Sequence, residues 1–246
     1  MQVIIMAAGL GSRLKDLTTA TPKALIEAGG RPLIDYALAF SSAAGAKRQI
    51  VVTGFCHADV AAQVAKVAPA AVIAENTEYK KGNLISMLAG QGALEPGDFL
   101  LMNTDHIYRP AIAEIVAKAC TGSEITAFCD FDRPLGADDM KVGLDANRCV
   151  EKMSKQLATW DCGYVGMTFV PASRRADYLA TAHRTREELG EATHVESILV
   201  SLAKQGTPPI IADISGHGWL EIDEPHERAH ADAVLARERW WAARSG

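Results

Sequence analysis

No apolar run in the sequence approaches the roughly 20 residues needed to cross a bilayer, and Met1 to Met6 passes straight into glycines with no basic leader. Neither membrane insertion nor export is expected, and the expected location is the cytoplasm. Basic charge is also scarce: 25 Lys and Arg stand against 30 Asp and Glu, a net charge of -5. A nucleic-acid partner, which needs a basic stripe to neutralise phosphates, is not expected. The five cysteines, Cys56, Cys120, Cys129, Cys149 and Cys162, are odd in number and hold no Cys-x-x-Cys pair. That spacing argues against a disulfide framework and against a zinc site. With 22% charged and 48% hydrophobic residues, the chain is neither disordered nor fibrous.

What is present is an alternation of two patterns. Short apolar runs at Val3 to Met6, Ile50 to Thr53, Ala71 to Ala74, Phe99 to Met102 and Ile125 to Phe128 read as buried strands. Between them Leu33 to Ala44, Ala58 to Ala68, Leu84 to Leu94 and Ala111 to Ala119 carry helical spacing. The expected fold is therefore α/β, a Rossmann-like, mostly parallel central sheet with helices on both faces and ligands beyond the carboxyl ends of its strands. After residue 130 the chain turns polar. Met140 to Leu144 and Arg148 to Lys152 then flank Asp145-Ala146-Asn147, a hairpin signal followed by a strand from Tyr164 to Val170. Helices from Ala172 to Glu188 and His194 to Gln205, strands from Ile210 to Ile214 and Trp219 to Ile222, and a closing helix from Glu224 towards Trp241 complete the reading. One domain over residues 1–246 is expected, with a nucleotide-binding core in 1–130 and an acceptor-binding part with the closing helix in 131–246.

The loop Ala7-Ala8-Gly9-Leu10-Gly11-Ser12-Arg13-Leu14-Lys15 follows the first strand, and its small residues let a nucleotide lie against backbone N–H groups. It is not a dinucleotide fingerprint, because Leu14 holds the third glycine position and Pro22 interrupts the helix that would follow. No Gly-x-x-x-x-Gly-Lys-Ser/Thr occurs either. Arg13 and Lys23 both follow the strand end at a spacing that lets them approach one triphosphate; each alone also reads as a solvated charge. Asp105, in Asn103-Thr104-Asp105-His106 after the run Phe99 to Met102, stands at a ligand-binding sheet edge. Its carboxylate suits Mg²⁺, which prefers hard oxygens; an N-cap of the helix from Pro110 is the alternative. A second acidic group, Glu221-Ile222-Asp223-Glu224, projects Glu221 and Asp223 to one face if it is extended. His106 is not expected to bind Mg²⁺.

Ala8-Gly9-Leu10-Gly11-Ser12-Arg13-Leu14 followed by Thr21-Pro22-Lys23-Ala24-Leu25 resembles the signature of the sugar-phosphate nucleotidyltransferase superfamily, the MobA-like NTP transferases, over nearly the whole chain. The resemblance implies a Mg²⁺-dependent enzyme that releases pyrophosphate. Gly9 and Gly11 would hold the base and phosphates, Arg13 the β/γ-phosphates and Lys23 the reacting α-phosphate. Ala7, Ala8, Ser12, Asn103 and Thr104 would join the nucleotide site, and Asp105 with Asp223 and Glu221 would carry the metal. The catalytic group so implied is Arg13, Lys23 and Asp105.

Lys80-Lys81-Gly82-Asn83-Leu84-Ile85-Ser86-Met87 is similar to a segment of the cytidylyltransferase branch, which includes phosphocholine and inositol 1-phosphate enzymes. That implies base contact by Asn83 and Ser86, although Asn83 also reads as an N-cap. The family's acceptor lysine falls on Lys155 or Lys152. Asn103 to Tyr108 and the Trp219 to Pro225 segment look closest to the inositol 1-phosphate enzymes, so the implied substrates are CTP and a phosphorylated alcohol, inositol 1-phosphate first. Trp160, Asp161, Tyr164 and Trp219, standing out in a chain with 6% aromatic residues, could instead face a quaternary ammonium. Glu196 is placed on the acceptor side with them. A sugar-1-phosphate enzyme using UTP, GTP or dTTP, and a nucleotide-binding regulatory protein, remain as alternatives. As to assembly, room is left for a homodimer.

Overall fold

The N-terminal apolar run forms β1 (Gln2–Ala7), buried along its whole length, as a continuous apolar pattern requires of a strand covered on both faces. The computed structural model describes residues 1–11, 13–14, 21–238 and 240–241. After a short ribbon of β2 (Glu27–Ala28) and β3 (Arg31–Pro32) come α1 (Leu33–Ala43), β4 (Arg48–Thr53), α2 (His57–Val67), β5 (Val72–Glu75), α3 (Asn83–Gln91) and β6 (Phe99–Asn103). β1 lies between β4 and β6, parallel to both, and β5 extends the parallel set beyond β4.

The second half departs from simple alternation. β7 (His106–Tyr108) precedes α4 (Pro110–Ala119) and β8 (Thr126–Asp130); the hairpin signal at Asp145 to Asn147 joins β9 (Lys141–Leu144) to β10 (Val150–Ser154). The nine-residue β11 (Cys162–Val170) runs antiparallel to β6, β8 and β9 and so fuses the hairpin to the parallel core. Then follow α5 (Arg175–Leu189), α6 (Glu196–Lys204), β12 (Ile210–Asp213), β13 (Trp219–Glu221) and α7 (Pro225–Glu238). β12 pairs with β8, whereas β13 pairs with β7 in a separate antiparallel ribbon. The sheet is thus mixed, with strands β10-β9-β11-β6-β1-β4-β5 in order and β8 and β12 joined at β11.

Period-two alternation divides the core. Val3 and Ile5 of β1 with Leu100 and Met102 of β6 pack under α1, α2 and α4, where Ile34, Phe40, Val60, Val64 and Ile112 meet them. Ile4 and Met6 with Phe99 and Leu101 face α3, α5 and α6 through Leu84, Met87, Tyr178, Ile198 and Leu202. α7 closes a third cluster, in which Val234 and Leu235 cover Leu14, Leu33 and Ile107. Among the described residues no helix is long and apolar enough to cross a membrane.

Candidate active site

Parallel pairing sets Met6 of β1 opposite Asn103 of β6, so the segments leaving the two strands run side by side. The Thr104 hydroxyl donates to the Met6 carbonyl at 2.7 Å and fixes that turn. The Ile222 N–H donates to the Asp105 carbonyl at 3.0 Å, which brings the acidic segment after β13 against the end of β6. Glu227 of α7 accepts from the Asp223 N–H at 2.7 Å and holds it there. Asp105 and Asp223 consequently face one point in space.

Lys23 occupies that point. It lies in a single 3-10 turn, Lys23–Leu25, after Pro22. Its Nζ donates to Asp105 Oδ2 at 2.7 Å and also to Asp223 Oδ1. Arg13 Nη2 lies 2.6 Å from the other oxygen of Asp223, and its Nη1 lies 3.4 Å from Asp138. Burial works to lower the Lys23 pKa, but the carboxylates of Asp105 and Asp223 outweigh it and raise it. For Asp105 burial works upward; the Lys23 ammonium and His106 outweigh it and hold the carboxyl well below the usual range. Burial would depress His106, yet Asp105 and Glu221 raise it. Its Nδ1 is 2.6 Å from Asp105 Oδ1, and its ring stacks between Tyr108 and Trp219. Lys23, Asp105, Asp223 and His106 thus form one largely buried network around the ends of β1 and β6, with Arg13 at its more exposed edge.

Two cavities meet at this network. One, of about 220 Å³, is lined by Ala7, Ala8, Gly9, Lys23, Asn83, Ser86, Asn103, Thr104 and Asp105, together with Tyr79 and Lys81. The other, of about 170 Å³, is lined by Arg13, Asp105, Asp223, Glu221, Lys155, Tyr164, Glu196 and His194 among others. Asn83, Asn103 and Asp105 border both. Asn83 is not the N-cap of α3, a position held by Gly82; its Oδ1 instead accepts from the Val195 N–H at 2.8 Å and ties α3 to the segment carrying His194 and Glu196. Asp105 likewise caps no helix, since Arg109 holds the N-cap of α4. Ser86 accepts a hydrogen bond from buried Asn76 at 3.0 Å. Gly11, at φ 66, turns the loop, and Leu14 N–H closes back on its carbonyl. Ser12 lies outside the described residues.

Four expected site residues, Lys152, Trp160, Asp161 and Trp219, do not line these two cavities. Lys152 packs its stem across the strand pair onto Gly143 and sits beside Glu151 at 3.7 Å, so Lys155 is the one of the two that reaches the smaller cavity. Trp160 is 43% exposed at the sheet's rim, with Lys141 over its ring. Asp161 spends its carboxylate on the Leu144 N–H at 2.8 Å. Trp219 offers no free face: His106 stacks at 4.9 Å, Arg133 covers it at 3.8 Å, and its Nε1 donates to Asp130. Glu221 lines the same cavity as Asp105 and Asp223. Its oxygens lie 3.9 Å from His106 and from Arg133, and no group of three or more metal-binding side chains converges among the described residues.

Sequence reasoning gave no site role to Lys81, Tyr79, His194, Asp138 or Asp139. Lys81 lies within the segment from Lys80 to Met87 and Tyr79 adjoins it, a signal within reach; the others become neighbours only through loop closure.

Gly166 marks where the site depends on backbone. It sits at φ 73 in an irregular stretch of β11, and a Cβ there would meet Asn103 Nδ2 at 2.9 Å and His106 Cε1 at 3.1 Å. Gly166→Ala is expected to cost about 1–3 kcal/mol and to lower Tm by roughly 2–10 °C. Nothing lies within 4 Å of a Cβ built on Gly9, so Gly9→Ala should leave Tm unchanged in the same melting experiment while narrowing the larger of the two cavities.

Comparison with known proteins gives this arrangement a family. Over 119 residues the chain is 39% identical to a 2-aminoethylphosphonate cytidylyltransferase of Lancefieldella rimae, covering 44% of this chain and 46% of that protein. It is 27% identical over 255 residues to the bifunctional protein GlmU of Xanthobacter autotrophicus, covering 99% of this chain and 55% of that one. The chain therefore spans about half the length of these curated relatives. Its fold matches an inositol-1-phosphate CTP transferase from T. maritima with a TM-score of 0.79 at 17% identity, covering 95% of this chain and 96% of that one. The model of the MobA-like NTP transferase domain matches residues 3–195, the stretch that holds β1, Lys23, Asp105 and the lining of the larger cavity, and the chain belongs to that family.

Proposed function

We propose that this protein transfers a nucleoside monophosphate, CMP from CTP, to a small acceptor bearing a phosphate or phosphonate, and releases pyrophosphate. The observation that carries the reading is the meeting of two cavities at the point where Lys23 joins Asp105 and Asp223. An NTP laid along the β1 loop would present its α-phosphorus there, with the acceptor approaching from the side of Lys155.

An acceptor phosphate or phosphonate oxygen attacks the α-phosphorus, and the bond to the β-phosphate oxygen breaks as pyrophosphate departs. The attacking oxygen is already anionic, so no general base is required; catalysis lies in holding the reactants in line and neutralising charge. Lys23 and Arg13 supply that positive charge. The Asp105 and Asp223 carboxylates already share one cation, the Lys23 ammonium, so they fit a shared Mg²⁺ as well. Two carboxylates are what Mg²⁺ takes from protein when phosphate and water complete its shell. Bound there, the ion would polarise the α-phosphate and order the triphosphate.

The choice of CTP is supported by the cytidylyltransferases among the relatives. Inositol 1-phosphate, phosphocholine and phosphonates are the acceptor classes to be distinguished. A regulatory module that only binds nucleotide would have no use for paired carboxylates beside the triphosphate. The test is pyrophosphate release from each of the four NTPs with Mg²⁺, crossed with 2-aminoethylphosphonate, phosphocholine, inositol 1-phosphate and glucose 1-phosphate. Release dependent on CTP and on one acceptor is expected. Binding of nucleotide without release in any combination overturns the reading.

A further inference from the structure

Six carboxylates line the acceptor-side cavity, and five of them already have partners. Asp105 faces Lys23 and His106, Asp223 faces Lys23 and Arg13, and Asp138 faces Arg13. Asp139 accepts from the Gly136 N–H, and Glu221 lies between His106 and Arg133. The sixth, Glu196, is 9% exposed at the first residue of α6; its carboxylate accepts from its own backbone N–H, but its Oε2 is buried with no hydrogen-bond partner among the described residues. A buried acceptor atom left unsatisfied is costly, and a protein that keeps one beside a cavity leaves a place for a donor. Lys155 lines the same cavity close enough to act on the Glu196 charge, yet no ion pair joins them. One cation and one carboxylate oxygen in the cavity are therefore left for a ligand.

We propose that the acceptor is zwitterionic, its phosphonate or phosphate held by Lys155 and an ammonium on the same small molecule held by the Glu196 carboxylate. This rests on the transferase reading and narrows it. The Tyr164 ring, buried beside the cavity with its hydroxyl bonded to Thr168 at 2.8 Å, offers an apolar wall for the carbons between the two charges. A neutral polyol such as inositol would bring hydroxyl donors but no charge to match the carboxylate. Burial raises the Glu196 pKa, and His194 and Lys155 pull against that rise; a bound ammonium would act in the same sense as those two. α3 holds the element in place, through the Asn83 bond to Val195 and through Gly82, where a Cβ would strike the Thr193 carbonyl.

The experiment compares 2-aminoethylphosphonate with propylphosphonate, which replaces the ammonium by a methyl group, and adds phosphocholine and inositol 1-phosphate. Pyrophosphate release with CTP and Mg²⁺ is measured for each, and direct binding to the nucleotide-loaded protein is measured by calorimetry. The wild type is expected to favour the amine over propylphosphonate at least fiftyfold in kcat/KM and in affinity. Glu196→Gln should shrink that preference to less than fivefold with an unchanged melting temperature. Lys155→Met should weaken both phosphonates alike and leave the preference standing. Equal use of propylphosphonate, or better use of inositol 1-phosphate than of either amine, overturns the zwitterion and leaves the transferase intact. Absence of release with every acceptor removes the transferase reading, and the calorimetric preference then decides the ammonium site by itself.

Discussion

Replacing Asp105 by Asn is expected to slow pyrophosphate release roughly a hundred- to a thousandfold at saturating Mg²⁺ and CTP, the usual cost of losing one electrostatic contact at a reacting centre. The amide keeps the shape of the carboxylate and can still accept from His106, but it has no charge to share with a cation. Asp105 also borders both cavities and joins the ion network between them, so the loss should fall on kcat more than on the KM for either substrate. The fold should persist, because the backbone bonds that place this turn, from Thr104 to Met6 and from Ile222 to Asp105, do not involve the carboxylate. Circular dichroism and a steady-state assay on the same preparation separate the two effects. A variant that turns over at near the wild-type rate would remove Asp105 from the chemistry.

The reason Asp105 could be picked out from the sequence is local. A buried strand run ending in a short polar string places its last carboxylate at the sheet edge, and β6 with the turn after it does so. The glycine loop after β1 and the helices between the parallel strands were readable on the same ground, since period and turn chemistry are properties of a few neighbouring residues. What pattern alone does not convey is closure over long separations. β11 reads as one more apolar strand, and nothing in its residues says that it lies antiparallel between β6 and β8. Trp219 looks like a free aromatic face until the pairing of β13 with β7 stacks it on His106 and brings Arg133 across its other side. Lys152 and Lys155 differ by three positions on the chain, but the first faces its cross-strand neighbour Gly143 and the second lies past the end of β10. The unpartnered Oε2 of Glu196 is not a sequence property at all, because it depends on what every surrounding element fails to offer.

Lys23 lends itself to a second large effect with an unusual sign. Its ammonium is the counter-charge for Asp105 and Asp223, and the side chains of all three are no more than 22% exposed. Lys23→Met leaves two carboxylates facing each other with only Arg13 and His106 nearby. Breaking a fully buried pair costs about 3–5 kcal/mol; here partial exposure reduces the cost, and in EDTA the variant is expected to melt roughly 4–10 °C below the wild type. Turnover should fall by roughly two orders of magnitude, since the positive charge beside the α-phosphate is gone. Added Mg²⁺, however, should stabilise the variant far more than the wild type. An ion held at a hundred times its Kd contributes about 2.7 kcal/mol, and the two carboxylates are free to take it once no ammonium competes. The contrast is measured by melting both proteins in EDTA and across a Mg²⁺ series without nucleotide. If Mg²⁺ shifts the two proteins equally, Asp105 and Asp223 do not form a shared cation site.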